Sequence, residues 1–331
     1  MLETMEKIME NTAGAIMTPE FVRLRADMRA DEAIRAVRAS GLDSDAIYTI
    51  YVAGADGRLL GTLEMRTLLA APDEAKLDSL MDTAFYAVKT DDDQQTAAML
   101  VRKYDLISLP VTDREGRLVG AIGVNSIVDV IEEEDTEDFE RMAALVPSED
   151  GYAASSVWAL AWHRLPWLLI LMASAVLCAK LIQHYEELLL LSALGGVVMS
   201  NIPMLMDTGG NAGSQSSTLI IRAMALGDMT ARDDALTLGK ELLTSLLCGA
   251  GLGVVNFLRM MLISRDTALE AGVISLAVCL TVIAANAIGC LLPMLARRLR
   301  LDPALMAGPL LTTIVDILGL IIVFALVTAL V

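Results

Sequence analysis

Residues Gly57–Leu69 read GRLLGTLEMRTLL, and residues Gly116–Val128 read GRLVGAIGVNSIV, a near-copy 59 positions later. Upstream, Met17–Leu24 (MTPEFVRL) is matched by Met81–Val88 (MDTAFYAV) at an offset of 64, so the first copy holds five extra residues near Gly41–Asp45. Between the matched pieces lies an Ala-rich stretch of helical composition, DEAIRAVRAS or QQTAAMLVRKY, and then a β-branched run, YTIYVAG or ISLPVTD. Each copy therefore reads β-α-β-β-α in about 60 residues, a duplicated α+β unit.

The rest of the chain has a different composition. The 331 residues are 55% apolar, with a formal charge of −17 and a mean hydropathy of +0.56. A soluble domain holds about 45–50% apolar residues. Residues 1–150 carry 31 Asp/Glu against 15 Lys/Arg, whereas the remainder carries 11 against 10. The asymmetry predicts an acidic water-soluble portion followed by a nearly neutral membrane portion. An acidic surface repels phosphates, so nucleic acid is excluded as a partner, while cations are attracted. Cys178, Cys248, Cys279 and Cys290 all lie in apolar runs and form no CxxC, which suits small packing residues. The N-terminal MLETMEKIMENTAGAIM lacks an apolar signal core, so the soluble half is expected in the cytosol.

Five apolar segments follow Trp158: Leu165–Ala179, Leu188–Met206, Leu242–Leu258, Ala271–Ala296 and Pro303–Val331. A span needs about 20 residues of helix, and flanking residues complete the first and third. Connections with Arg222, Arg232 and Lys240, and with Arg297, Arg298 and Arg300, belong in the cytosol by the positive-inside rule. HYEE at 184–187 and SRDTALE at 264–270 are the expected outer connections. The layout is multi-pass, with the N-terminus cytoplasmic and the C-terminus outside the cell (inner) membrane.

Two features carry chemistry. Pro203–Asp228 (PMLMDTGGNAGSQSSTLIIRAMALGD) crowds Gly209, Gly210 and Gly213 with Asn211, Ser214, Gln215, Ser216 and Ser217. Irregular backbone with free carbonyls is expected there, buried in protein or lining a wet cavity; small-residue helix packing is the alternative. The second feature is Asp316 in TTIVDILGLIIVF, a costly mid-span carboxylate of the kind that marks ion pathways. Two such carboxylates about a dimer axis balance one divalent ion, with Thr312 and Thr313 a turn away. All candidate ligands are oxygens, which favours Mg²⁺, Ca²⁺ or Mn²⁺. Pairing of Asp316 with Arg222 or Lys240 is the structural alternative. Ile131–Glu140 packs seven acids into ten residues ahead of the first span.

The duplicated unit resembles a pair of CBS (cystathionine-β-synthase) domains. MDTGGNAGSQSSTLIIRAMALGD, KELLTSLL, NFLR and LDPALMAGPLLTTIVDILGL resemble the transmembrane domain of the MgtE family of magnesium transporters. The resemblance implies a homodimer in the lipid bilayer, with five helices per subunit around one pore. It also implies a cytosolic CBS pair that senses Mg²⁺ and closes the pore through a plug helix. By position, Asp316 matches the pore aspartate that holds hydrated Mg²⁺ with backbone oxygens of Gly210, Gly213 and Thr312. Asp302 matches an acid at the cytosolic mouth; Glu134, Glu137 and Asp138 match plug-helix acids; Asp105 and Asp129 match acids of the second CBS repeat.

The expected layout is therefore an α+β cytosolic CBS pair followed by an all-α transmembrane domain of five helices. Its parts are an N-terminal segment (1–14), CBS repeats at 15–72 and 73–130, an acidic plug helix (131–157) and the pore domain (158–331). The family's N-terminal helical domain is expected to be absent, and Asn125 and Ser126 stand where acids are usual. The G-x-x-T-x-x-D nucleotide pattern fails after both Gly61 and Gly120, so ATP or AMP binding to the CBS pair is not expected. The function expected is passive Mg²⁺ influx, transported and regulatory Mg²⁺ being the implied ligand. The alternatives are a Co²⁺ or Mn²⁺ transporter, or a CBS-regulated receptor that moves no ion. No nucleophile–base pair or metal triad points to an enzyme.

Overall fold

The computed structural model describes residues 11–147 and 152–330. The chain divides into two compact units, Met1–Asp135 and Thr136–Val331.

In the first unit each repeat forms a three-stranded sheet. β1 (Val22–Arg25) pairs in parallel with β2 (Thr49–Ala53), which pairs antiparallel with β3 (Leu59–Glu64). Later in the chain β4 (Val88–Lys89), β5 (Ser108–Thr112) and β6 (Leu118–Gly123) repeat that order. The central strands are almost wholly buried while β1 alternates buried and exposed, the pattern of a sheet covered most heavily at its middle. α1 (Ala13–Ile16) precedes the first sheet, and α2 (Ala30–Ser40) connects β1 towards β2. α2 buries Ala30 and Ala33 and ends on Gly41 in the left-handed conformation. The five extra residues of the first copy fall where α3 (Ser44–Ile47) forms. α4 (Met65–Ala70) and α5 (Leu77–Leu80) follow β3. α6 (Gln94–Tyr104) is capped by Asp93, whose carboxylate accepts from the Gln95 amide at 2.8 Å. α7 (Val124–Met142) follows β6 as one 19-residue helix. Gly57 and Gly116 take φ of 83° and 80° at equivalent hairpin turns, a conformation that favours glycine.

The segment leading into each repeat completes the core of the other. Ala13 and Gly14 donate to the Asp92 and Thr90 carbonyls, and Thr18 and Ala121 exchange backbone bonds. Ala13, Ile16 and Met17 join the core of Val88, Val111 and Ile122. Reciprocally, Leu77, Leu80 and Met81 join the core of Ile50, Val52 and Leu63. Cutting the chain at 14/15 and 72/73 therefore separates each lead-in from the core it fills. Between the repeats Tyr51 packs with Leu118, Ala121, Phe21 and Leu59, and its hydroxyl meets Ser108 Oγ at 2.6 Å. Burial pushes the Tyr51 phenol up to about 12, so it stays neutral in this core.

Among its described residues the second unit has the long helices α8 (Val157–Leu191), α9 (Gly195–Ala225), α10 (Asp234–Arg259), α11 (Ala268–Arg298) and α12 (Pro309–Thr328). Among the described residues four segments are long and apolar enough to cross a membrane: Val157–Leu191, Asp234–Ser264, Ala268–Arg298 and Pro303–Thr328. α9 is long enough but too polar to meet that measure, and its buried residues include Gly209, Gly210, Gly213, Ser216 and Ser217. Two local expectations are corrected. Residues 184–187 are not a connection but lie inside α8, because no Gly or Pro interrupts the helix there. Pro203–Ala225 is not irregular but continuous helix. The glycines at 209, 210 and 213 make a flat stripe on α9, and the neighbouring helices pack onto it.

The exchange of lead-ins yields a test. A methyl on Gly61 would lie 2.7 Å from the Asp82 carbonyl oxygen, which the Thr62 amide fixes at 3.0 Å. Gly123 has open space around it. Gly61→Ala is expected to destabilise the CBS-like pair by about 1–3 kcal/mol, with Gly123→Ala close to wild type. Thermal unfolding of the purified chain checks the difference.

Candidate ion-binding site

Three helices meet on the glycine stripe. A methyl on Gly209 would strike Thr281 of α11 and Val315 of α12, at 2.8 and 2.9 Å. One on Gly210 would lie 3.2 Å from Thr312 Cγ2, and one on Gly213 3.2 Å from the Ala285 carbonyl oxygen. A methyl on Gly289 would collide with the Gly213 carbonyl oxygen. The structure thus brings Gly210 against Thr312, with Asp316 one turn further along α12. The Gly213 carbonyl lies instead at the crossing with Gly289. Thr312 and Thr313 both donate to the Pro309 carbonyl, at 2.9 and 3.0 Å. Their hydroxyl protons are thereby committed to backbone, and lone pairs are left to accept.

Asp316 is half-buried and, among the described residues, makes no hydrogen bond or ion pair. Neither Arg222 nor Lys240 neutralises it. Its neighbours in the second unit contrast with it. Asp234 is held by Arg297 and by Arg298, the latter at 3.0 Å. Glu241 accepts from Ser216 Oγ at 2.7 Å, and Glu270 caps α11 through Thr267.

The other expected site residues are dispersed. Asp302 starts the 3₁₀ turn Pro303–Met306, accepting from the Ala304 amide at 2.8 Å. It also pairs with Arg141, whose guanidinium holds Glu137 one turn back on α7. Met142 packs with Ala304 and Ala307, and its carbonyl abuts Gly308. The end of the acidic helix is therefore seated on the segment that leads into α12. Glu134 is bound by both glutamines at the start of α6, Gln94 at 2.7 Å and Gln95. Asp105 ends α6 in the left-handed conformation and is exposed. Asp129 is exposed on α7, and Asp138 is half-buried there. Among the described residues no three His, Cys, Asp or Glu side chains come together as a metal-binding group.

Sequence reasoning missed Arg141 and Asp207. Arg141 is one base among the acids of α7, and its spacing of four from Glu137 was the available signal. Asp207 stands in the quoted MDTGG string as a carboxylate on the same helix as the glycine stripe.

The sequence model of the MgtE family, described as a divalent cation transporter, matches residues 202–326, and that of the CBS domain matches 13–74 and 77–133. The magnesium transporter MgtE of Thermus thermophilus is 38% identical over 97% of this chain and 70% of its own length. That of Bacillus subtilis is 30% identical over 96% and 69%. Among solved structures, the cytosolic domain of the Mg²⁺ channel MgtE in complex with ATP is 41% identical, covering 37% of this chain and 49% of that one, with a TM-score of 0.36. These matches make the chain a membrane transport protein with a CBS pair rather than an enzyme. It belongs to the MgtE family of magnesium transporters.

The Arg141 cluster is testable. Side chains of Arg141, Glu137 and Asp302 are 30%, 29% and 23% exposed, between the exposed and buried regimes. Arg141→Ala is expected to weaken the seat of α7 by about 1–3 kcal/mol. Amide exchange across residues 138–145 should then accelerate about tenfold or more, whereas Arg141→Lys changes it less. Unaltered exchange would show that the contact holds nothing.

Proposed function

We propose that this chain carries Mg²⁺ passively into the cell through a pore shared by two copies. The observation that carries the reading is Asp316: a half-buried carboxylate on a membrane helix, without a basic partner, beside the Gly210–Thr312 contact. Mg²⁺ surrenders water reluctantly, so a wide site that touches the hydration shell suits it. Two Asp316 carboxylates about a dimer axis neutralise one divalent ion. Oxygens of Gly210 and Thr312 accept from the bound water, whereas the Gly213 oxygen is taken up by the crossing with Gly289.

In this reading α8–α12 all span the membrane, α9 being sheltered by its neighbours. The CBS pair lies in the cytosol, and the C-terminus lies outside. Regulation works by linkage: internal Mg²⁺ on the acids of the CBS pair and α7 favours the closed arrangement only as far as it binds that arrangement better. Asp105, Asp129, Glu134, Glu137, Asp138 and Asp302 are the acids assigned to it. Arg141 already neutralises Glu137 and Asp302, so Mg²⁺ at that contact acts in competition with a tethered cation.

In proteoliposomes, Asp316→Asn is expected to abolish Mg²⁺ uptake while leaving expression and particle size unchanged. Asp316→Glu should retain part of the flux. Wild-type uptake by the Asn variant overturns the assignment. Parallel measurements with Co²⁺ and Mn²⁺ establish which divalent ion the pore favours.

A further inference from the structure

α9 carries a second feature beyond its glycine stripe. Pro203, Asp207, Asn211 and Gln215 recur every four residues and are all exposed in the single chain, while Leu205, Gly209, Gly213, Ser216 and Ser217 are buried. The exposed face of neighbouring α10 is mostly apolar, as on a lipid-facing helix (Leu236, Leu243, Leu246, Leu247, Val254 and Val255), with Lys240 and Thr244 its polar exceptions. A carboxylate and two carboxamides on one face of a membrane helix cost too much to lie in hydrocarbon, so that face meets water or protein. Asp207 has no hydrogen bond or ion pair among the described residues.

Helix geometry places this face. Gly209 meets Val315, Gly210 meets Thr312, and Gly213 reaches Leu311, so α9 and α12 run antiparallel with Gly210 and Thr312 at one depth. From that level Asp207 is three residues back along α9, about 4.5 Å, and Asp316 is four residues on along α12, about 6 Å. Both displacements point the same way, so the two carboxylates lie at nearly the same depth. At 3.6 residues per turn, Gly209 and Val315 are the residues turned towards α11. Moving away from α11 through the Gly210–Thr312 contact, the next residues are Asp207 and Asn211 on α9 and Asp316 on α12.

We propose that Asp207 is a second carboxylate of the ion path, at the level of Asp316, and that Asn211 and Gln215 continue the same water-lined face of α9. Its ligand is a hydrated divalent cation. The inference rests on the transport reading of Asp316, and it adds charge to that site. Asp316 holds the ion beside backbone oxygens. Asp207 raises the local concentration of cations at that depth and favours a divalent over a monovalent ion, since attraction scales with the ion's charge.

Two measurements test it. In proteoliposomes, Asp207→Asn is expected to keep Mg²⁺ flux but raise the half-saturating Mg²⁺ concentration about tenfold, the effect of losing one nearby charge in a wet site. Asp207→Glu should return it towards wild type. Separately, Asp207→Cys and Asn211→Cys, in a chain whose four native cysteines are replaced by Ser, should react with a water-soluble thiosulfonate, more slowly with Mg²⁺ present. Leu243→Cys on the apolar face of α10 should stay unlabelled. Wild-type half-saturation in Asp207→Asn, or an Asp207→Cys that does not react, overturns the proposal. Should the wild-type protein carry no Mg²⁺ at all, the transport reading fails, and labelling with its Mg²⁺ protection still decides whether Asp207 faces water.

Discussion

A carboxylate inside a bilayer needs a counter-charge, a proton or water. Several carboxylates of the second unit are answered locally: Asp234 by two arginines, Asp302 by Arg141, Glu270 by a capping threonine. Asp316 is not. The sequence around it fixes the consequences. Thr312 and Thr313 turn their protons to Pro309 and keep lone pairs available, and Gly210 lets α9 come close enough to share the place. An anion presented this way, among oxygen acceptors and without a base, suits a hard cation.

The same glycines explain why α9 can be the most polar of the five long helices. Gly209, Gly210 and Gly213 on α9 and Gly289 on α11 bring backbones into contact, and van der Waals packing rather than hydrophobic burial holds such helices together. α9 packs one side against α11 and α12 and carries Asp207, Asn211 and Gln215 on its exposed side. Packing and chemistry thus occupy adjoining faces of one helix, with Gly210 at their border. Loss of the small residues removes the first and misplaces the second.

Much of this was legible before any coordinates. The duplication was visible because paired strands and hairpin glycines repeat at a near-constant offset, and the extra residues near Gly41 became α3. Asp316 was legible because a lone charge in an apolar run has few structural excuses. The exchange of lead-ins was not, since short segments such as Ala13–Ile16 carry too little periodicity to say which core they fill. Pro203–Ala225 was misjudged because its polar content reads as loop, although glycine and serine are tolerated in a helix whose neighbours supply the packing. Residues 184–187 were read as a turn on charge alone, and α8 simply extends past them. Arg141 was hidden by acidic neighbours: its second partner, Asp302, is distant in sequence.

The central claim is that one divalent ion is shared by two Asp316 carboxylates. Mn²⁺, which has the same charge and preference for oxygen as Mg²⁺, reports it directly by electron paramagnetic resonance on the purified protein. The difference in bound Mn²⁺ between wild type and Asp316→Asn counts the ions that depend on this residue. One such ion per two chains, displaced by Mg²⁺ and retaining a largely aquated spectrum, is the predicted result. An identical Mn²⁺ count in the two proteins would contradict the account.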